Sequence, residues 1–149
     1  PDYCFIPFGT GNLYENVMQI NKKEISSEKH DPRFRGSVEK LRQCNFMGAT
    51  SSNPKILAEK LYSPHLPFSH VEEQWLRLYK VAGFCGPMSN VCPVSEECLK
   101  KAMKIAEQNN IQCEPSGIAG LALMLQMGKK LPKNRKMLIV STGKTKMPE

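Results

Sequence analysis

The strongest constraint on the fold of this chain is a short apolar segment that runs directly into a glycine-containing loop and then into a helix. Residues 3–8 (YCFIPF) are typical of a buried strand, Gly9-Thr10-Gly11-Asn12 forms the loop, and residues 12–21 follow with helical spacing. Successive N–H groups in such a turn point the same way and meet the positive end of the helix dipole, so a phosphate or carboxylate can bind there. The same residues also fit an ordinary strand-to-helix turn.

The far end of the chain predicts the second half of such a site. Residues 136–140 (KMLIV) have the pattern of a short buried strand, and Ser141, Thr142 and Gly143 follow at its carboxyl end. Ligands of open α/β sheets bind at the carboxyl ends of the strands. We therefore expect Gly9–Asn12 and Ser141–Gly143 to lie at the same edge of one sheet, with a ligand between them.

Two familiar nucleotide-binding motifs do not fit the sequence. Gly143-Lys144-Thr145 ends like a P-loop, but Leu138 stands where that motif needs its first glycine, and the four residues after Thr145 are too few for its helix. The N-terminal G-x-G has Tyr14 in place of the third glycine of the dinucleotide fingerprint. Neither a P-loop nor a nicotinamide or flavin dinucleotide site is predicted.

Composition excludes several other classes of protein. The 149 residues suffice for one domain, and no stretch approaches the roughly 20 apolar residues of a membrane helix. The six cysteines are scattered, with no C-x-x-C pair and no signal segment, so we expect reduced thiols and a cytoplasmic location. The three histidines lie far from the cysteines in sequence, so structural or surface roles are expected rather than a zinc site.

The net charge of +7 has a local origin, because seven basic residues and one acidic residue occur from Lys129 onward. No aromatic residues interleave with these basic residues, and no nucleic-acid-binding motif accompanies them. A solvated, lysine-rich connection, helped by a phosphate-bearing ligand nearby, explains the charge better than nucleic-acid binding does.

The rest of the chain alternates between strand and helix patterns. Ser95 is a predicted N-cap, with Glu96 and Glu97 against the helix dipole. Residues 72–81 fit either a helix or a strand. The remaining predicted elements are strands at 41–47, 91–94 and 136–141, and helices at 53–62, 96–109 and 118–127. This alternation predicts a single α/β domain over 1–149, a three-layer αβα architecture with a mainly parallel sheet.

Four features in this order resemble a known superfamily. They are the glycine loop after a strand, the helix start at residues 93–97 (PVSEE), the segment 114–117 (EPSG) before an apolar helix, and Ser141-Thr142-Gly143 after the last strand. The order resembles the C-terminal part of the fold-type II pyridoxal-phosphate enzymes, which include threonine synthase, cysteine synthase and the serine and threonine dehydratases. The ending Thr142-Gly143-Lys144-Thr145-Lys146 looks most like that of threonine synthases.

The resemblance implies pyridoxal 5'-phosphate as cofactor and gives roles to particular residues. Thr142, with Ser141 as the alternative, would hydrogen-bond the pyridine nitrogen, and Glu114 would lie in the active site. A neutral hydroxyl partner leaves that nitrogen largely unprotonated, which suits elimination and replacement. From the residues alone, Glu114 also fits a helix-start carboxylate and Thr142 a strand cap. The cofactor phosphate would be held by Gly9, Thr10, Gly11, Asn12 and Leu13.

The resemblance also implies an activity and its partners. It implies a lyase or synthase that eliminates or replaces a group at the β- or γ-carbon of an amino acid, working as a homodimer in its full-length form. The family's Schiff-base lysine belongs to an N-terminal region, and no lysine here stands at a matching position. We therefore expect residues 1–149 to be the C-terminal part of a longer enzyme, without catalytic residues or turnover of its own.

A second class of function fits the same loop. A non-catalytic α/β module would use it to bind a phosphorylated metabolite or a partner protein.

Overall fold

The computed structural model describes residues 1–9, 11–26, 44–51, 53–62 and 90–143. Four strands form one parallel sheet in the order β3-β2-β1-β4, and helices cover it, so the predicted α/β architecture with a parallel sheet is confirmed. The strands are β1 (Tyr3–Pro7), β2 (Asn45–Thr50), β3 (Val91–Pro93) and β4 (Met137–Ile139). The helices are α1 (Asn12–Ser26), α2 (Glu96–Gln108) and α3 (Ala119–Met127), with 3-10 turns at Glu59–Leu61 and Gly128–Lys130.

The β1 strand is buried along its whole length and has an apolar layer on each side. Side chains of a strand alternate between the two faces of a sheet. Phe5 accordingly packs into the core cluster that contains α2 and α3, whereas Ile6 packs into the cluster that contains Tyr14 of α1. The buried Tyr14 ring contacts Phe8 at 5.5 Å between centroids, and its hydroxyl donates to the carbonyl of Phe46 at 3.2 Å. The sheet is therefore the middle of three layers.

Polar side chains fix the start of α2 and the end of α3. The Ser95 hydroxyl accepts from the amide of Cys98 at 3.2 Å, so the predicted N-cap is confirmed. Gln126 makes two hydrogen bonds to the segment between β3 and α2. Its Oε1 accepts from the amide of Ser95 at 2.7 Å, and its Nε2 donates to the carbonyl of Pro93 at 2.9 Å. The one exposed polar residue of the apolar α3 helix thus ties it to β3 and α2.

Three elements differ in position or length from the sequence prediction. The predicted strand at 41–47 is shifted, because β2 runs to Thr50 through Gly48 and Ala49, whose weak strand preference hides it; residues 41–43 lie outside the described part. The structure forms β4 only over Met137–Ile139, shorter than 136–141, while α1 continues past residue 21 to Ser26. The segment 72–81 lies outside the described residues.

The predicted helix at 53–62 is wrong. The Asn53 Oδ1 accepts from the amide of Lys55 at 2.9 Å, and the Ser51 hydroxyl accepts from the amide of Asn53 at 3.1 Å. Such side-chain bonds to the backbone compete with helix formation, and Pro54 follows directly. Only the short turn Glu59–Leu61 is helical.

The thiols fall into two groups. Cys4 and Cys44 are free and buried on the α1 side, and burial raises their pKa values to about 11 and about 12, respectively. Cys98 and Cys113 also carry thiols outside any disulfide, whereas Cys92 is disulfide-bonded, so the expectation of reduced thiols is wrong at Cys92. Within the described part of the chain, no helix is long and apolar enough to cross a bilayer, and no cluster of potential ligands suits a metal ion.

Candidate functional site

The two ends of the chain meet in one cleft of about 350 Å³ at the carboxyl edge of the sheet. β1 and β4 are parallel neighbours, with Tyr3 opposite Met137, so the segments that leave them emerge side by side. The cleft is lined by Pro7, Gly9, Gly11, Asn12, Leu13, Lys60, Leu61, Glu114, Ser116, Gly117 and Thr142. The predicted juxtaposition of the N-terminal loop with the end of the last strand is therefore present.

The first wall is the turn into α1. Gly11 has a φ of 88°, a left-handed conformation that glycine adopts without strain. The first helical hydrogen bond runs from the amide of Glu15 to the carbonyl of Gly11 at 2.8 Å. The amides of Asn12 and Leu13 precede that bond, so the helix itself offers them no acceptor, and the positive end of its dipole lies at the cleft.

The second wall comes from the short turn around Lys60. A Cβ on Gly9 would lie 3.1 Å from the carbonyl oxygen of Lys60, so the absence of a side chain at Gly9 permits this approach. The backbone of Lys60 is therefore packed against the N-terminal loop, and its side chain starts beside the first wall.

The third wall joins the turn before α3 to the end of β4. The amide of Thr142 donates to the carbonyl of Gly117 at 3.0 Å, and a Cβ on Gly117 would lie 1.4 Å from the Thr142 carbonyl oxygen. Only glycine fits at that contact. The Glu114 carboxylate packs against Gly143 on the same side, 2.6 Å from where a Cβ of Gly143 would stand. Thr142 is thus held at the cleft by its own backbone.

A single ion pair links the second and third walls. The Lys60 ammonium contacts the Glu114 carboxylate, and the two side chains are 65% and 24% exposed, respectively. Among the described residues that line the cleft, these are the only charged ones. With the pair formed, the side chains of the cleft carry no net charge, and the backbone dipoles of the first wall dominate its electrostatics.

The predicted site residues divide into three groups. Ser141 is exposed and is not among the residues that line the cleft, and Thr10 lies outside the described residues. The structure brings the others together: Gly9, Gly11, Asn12, Leu13, Glu114 and Thr142.

Among the lining residues that sequence reasoning did not predict, Gly117 and Lys60 contribute most to the shape and charge of the cleft. Gly117 belongs to the EPSG segment that was singled out, but its contact with Thr142 has no local signature. Lys60 lies 54 residues from Glu114 in the sequence, and it was expected only as part of the helix at 53–62, so no signal pointed to it. Cys113, which directly precedes Glu114, is buried, and burial raises the pKa of its thiol.

Solved structures of similar fold include the O-ureido-L-serine-bound form of a lysine-to-alanine mutant of O-ureido-L-serine synthase. The TM-score is 0.55 and the sequence identity 16%, and the match covers 97% of this chain and 39% of that chain. At this identity the likeness shows the fold alone, and it does not favour threonine synthases. No protein-family model matches the chain, and no curated protein matches it.

Proposed function

We propose that this chain forms the phosphate-binding side of a pyridoxal-phosphate-dependent lyase or synthase. The observation that carries the proposal is the meeting of the glycine loop with Glu114 and Thr142 in one cleft at the carboxyl edge of a parallel sheet. The similar fold of O-ureido-L-serine synthase supports it.

The donors of the first wall fit a phosphate group. The backbone amides of Gly11, Asn12 and Leu13 at the N-terminus of α1 are the kind of donor that binds phosphate without a cationic side chain. The left-handed turn at Gly11 lets the backbone come close to the ligand. The volume of about 350 Å³ lies within the range of about 300–1,000 Å³ that is usual for small-molecule sites.

The third wall fits the aromatic ring of the cofactor. The Thr142 hydroxyl is our candidate for the partner of the pyridine nitrogen, because the Thr142 backbone is fixed by Gly117. When bound, the cofactor would supply an electron sink for negative charge at the α-carbon of an amino acid. The protein would supply position: α1 would hold the phosphate, and Thr142 would orient the ring and keep its nitrogen unprotonated.

The finer proposal is a threonine synthase-like elimination or replacement on an amino-acid substrate in the cytoplasm. It rests on the Thr142-Gly143-Lys144-Thr145-Lys146 ending. The chain spans 39% of the length of the similar structure, so the activity of the whole protein stays part of this proposal.

A second candidate is a non-catalytic module that binds a phosphorylated metabolite through the same first wall. One observation favours it. Lys60 is the one lysine among the described residues that line the cleft, and it is paired with Glu114, so the structure shows no unpaired lysine there that could bond a cofactor. In this case Thr142 would have no role in recognition.

Two substitutions separate these candidates. Gly11→Val adds a branched side chain where the ligand must come close and where φ is positive, so affinity for both inorganic phosphate and pyridoxal phosphate should fall. Thr142→Ala should keep the affinity for phosphate. It should weaken the binding of pyridoxal phosphate by about 0.5–1.5 kcal/mol, the contribution of one net hydrogen bond. Titration calorimetry of the purified protein measures both ligands. Gly128→Val is the matched control, because Gly128 also has positive φ but lies away from the cleft.

The outcomes are distinct. Equal binding of pyridoxal phosphate by wild type and Thr142→Ala would favour the non-catalytic module. If Gly11→Val bound both ligands like the wild type, the loop would be only a turn, and the proposed function would be wrong.

A further inference from the structure

The Lys60–Glu114 ion pair spans the cleft from one side to the other. The Lys60 backbone is packed against Gly9 at the N-terminal loop, whereas the Glu114 carboxylate rests against Gly143 after β4. The lysine side chain therefore starts beside the anion-binding wall and reaches across to the opposite wall. A ligand that occupies the cleft has to meet this pair.

The pair is suited to exchange its partners. An ion pair between largely solvated groups contributes little, since water screens the attraction and two flexible side chains must be held in place. Lys60 is 65% exposed, so its ammonium can turn away from Glu114 at small cost. A doubly charged phosphate group is a stronger acceptor for an ammonium than the singly charged carboxylate of Glu114, whose side chain is 24% exposed.

The charge balance of the cleft makes this exchange selective. An incoming anion is repelled by Glu114 unless Lys60 lies between them, because these are the only charged residues among the described ones that line the cleft. A dianion gains enough from Lys60 to draw it from Glu114, whereas a monoanion gains less and leaves the pair intact.

We propose that Lys60 is a displaceable cation of this site, which Glu114 holds in reserve until a dianionic phosphate ester takes it. The inference rests on the proposed function, because it assumes that an anion binds at the wall formed by Gly11, Asn12 and Leu13. It adds a ligand-contacting residue and a preference for doubly charged ligands.

Sulfate and methanesulfonate test this preference, since they share a tetrahedral shape and differ by one charge. Calorimetry at fixed ionic strength should give wild-type affinity for sulfate about tenfold above that for methanesulfonate, equivalent to about 1.4 kcal/mol. In Lys60→Met the sulfate affinity should fall about tenfold and the methanesulfonate affinity by less, about twofold to threefold, because both anions then face an unpaired Glu114 but only the dianion loses the lysine that it recruits. Lys60→Arg keeps the charge and should restore most of the difference.

Glu114→Gln tests whether the carboxylate restrains Lys60. With Lys60 released, methanesulfonate affinity should rise about fivefold and the preference for sulfate should shrink. Loss of repulsion alone would produce the same gain in the absence of Lys60. If the carboxylate acts through Lys60, the gain from Glu114→Gln should differ between the wild-type and the Lys60→Met backgrounds, a coupling that a double-mutant cycle measures.

Each result decides between the two proposals. If Lys60→Met bound both anions like the wild type while Gly11→Val lost sulfate, the anion site would stand and the role of Lys60 would be refuted. Equal gains from Glu114→Gln with and without Lys60 would also refute it. If Gly11→Val bound sulfate normally, or the wild type bound no sulfate, the proposed function itself would fail.

Discussion

Two cavities in the described part of the chain differ in both size and lining. The larger one, a groove of about 780 Å³, lies along α2 and the segment that follows it, and its lining includes Leu57, Met103 and Ile111. The smaller one is the cleft of about 350 Å³, which lies at the strand ends and is lined largely by loop and turn residues. None of the predicted site residues lines the larger cavity, although Cys113 and Pro115, the chain neighbours of Glu114, do.

The difference teaches that convergent backbone groups, and not volume, distinguish a candidate site. The groove is shaped by side chains of a helix surface, whereas the cleft is shaped by turns that only glycine permits. Two consecutive residues illustrate the contrast. Cys113 lines the groove and is buried, with a raised pKa and hence a neutral thiol, whereas Glu114 lines the cleft and is charged and ion-paired.

The largest effect should come from Gly117→Ala. The new Cβ would stand 1.4 Å from the Thr142 carbonyl oxygen, so the backbone must move and the third wall of the cleft must open. We expect a loss of about 1–3 kcal/mol in the free energy of unfolding, as for overpacked cores, together with loss of phosphate binding. Chemical denaturation and calorimetry measure the two quantities.

Gly128→Ala is the control for that substitution. Gly128 follows α3 at its other end and has no atom within 4 Å of an added Cβ, although its φ is positive. It should lose stability from backbone strain and keep phosphate affinity. Unchanged stability and binding in Gly117→Ala would mean that the contact between Gly117 and Thr142 is not a wall of the site.

The second prediction concerns the reactivity of Cys113. Because burial raises its pKa, the thiolate population is smaller than that of an exposed cysteine at any pH below the raised value, and alkylation at pH 8 should be slow. The rate should increase as the pH rises through and above the ordinary thiol pKa of about 8.5. Peptide mapping after iodoacetamide treatment measures this rate. Saturating phosphate should not change it, since the thiol faces the groove; strong protection by phosphate would place the anion in the wrong cavity.

The smallest effect should come from Ile111→Ser. Ile111 is 46% exposed at the groove, and such substitutions usually change stability by no more than about 0.5 kcal/mol. Phosphate affinity should stay within about twofold of the wild type, which is well below the tenfold change that about 1.4 kcal/mol would cause. A large loss of phosphate affinity in this variant would make the groove the site and reverse the comparison.

The parts of this fold that sequence predicts well are those governed by local chemistry. Ser95 is a cap because its hydroxyl precedes a helix with acidic residues in its first turn, and it behaves so in the structure. The meeting of the N-terminal loop with Thr142 follows from a general rule, since the carboxyl ends of parallel strands share an edge.

The parts that escaped prediction depend on contacts between distant residues or on turn chemistry that was overlooked. The helix expected at 53–62 fails because Ser51 and Asn53 bond the backbone and Pro54 follows, a pattern that was visible in the sequence. The pairing of Lys60 with Glu114 was not visible, because it exists only once the turn at Lys60 is packed on Gly9.

The central claim is that an anion binds in the cleft at the start of α1, and an amide NMR titration with inorganic phosphate tests it most directly. We expect saturable chemical-shift changes at the amides of Gly11, Asn12 and Leu13, with smaller changes near Thr142 and none at Ile111 in the groove. Shifts that centre on the groove, or no saturable shift at Gly11–Leu13, would contradict it.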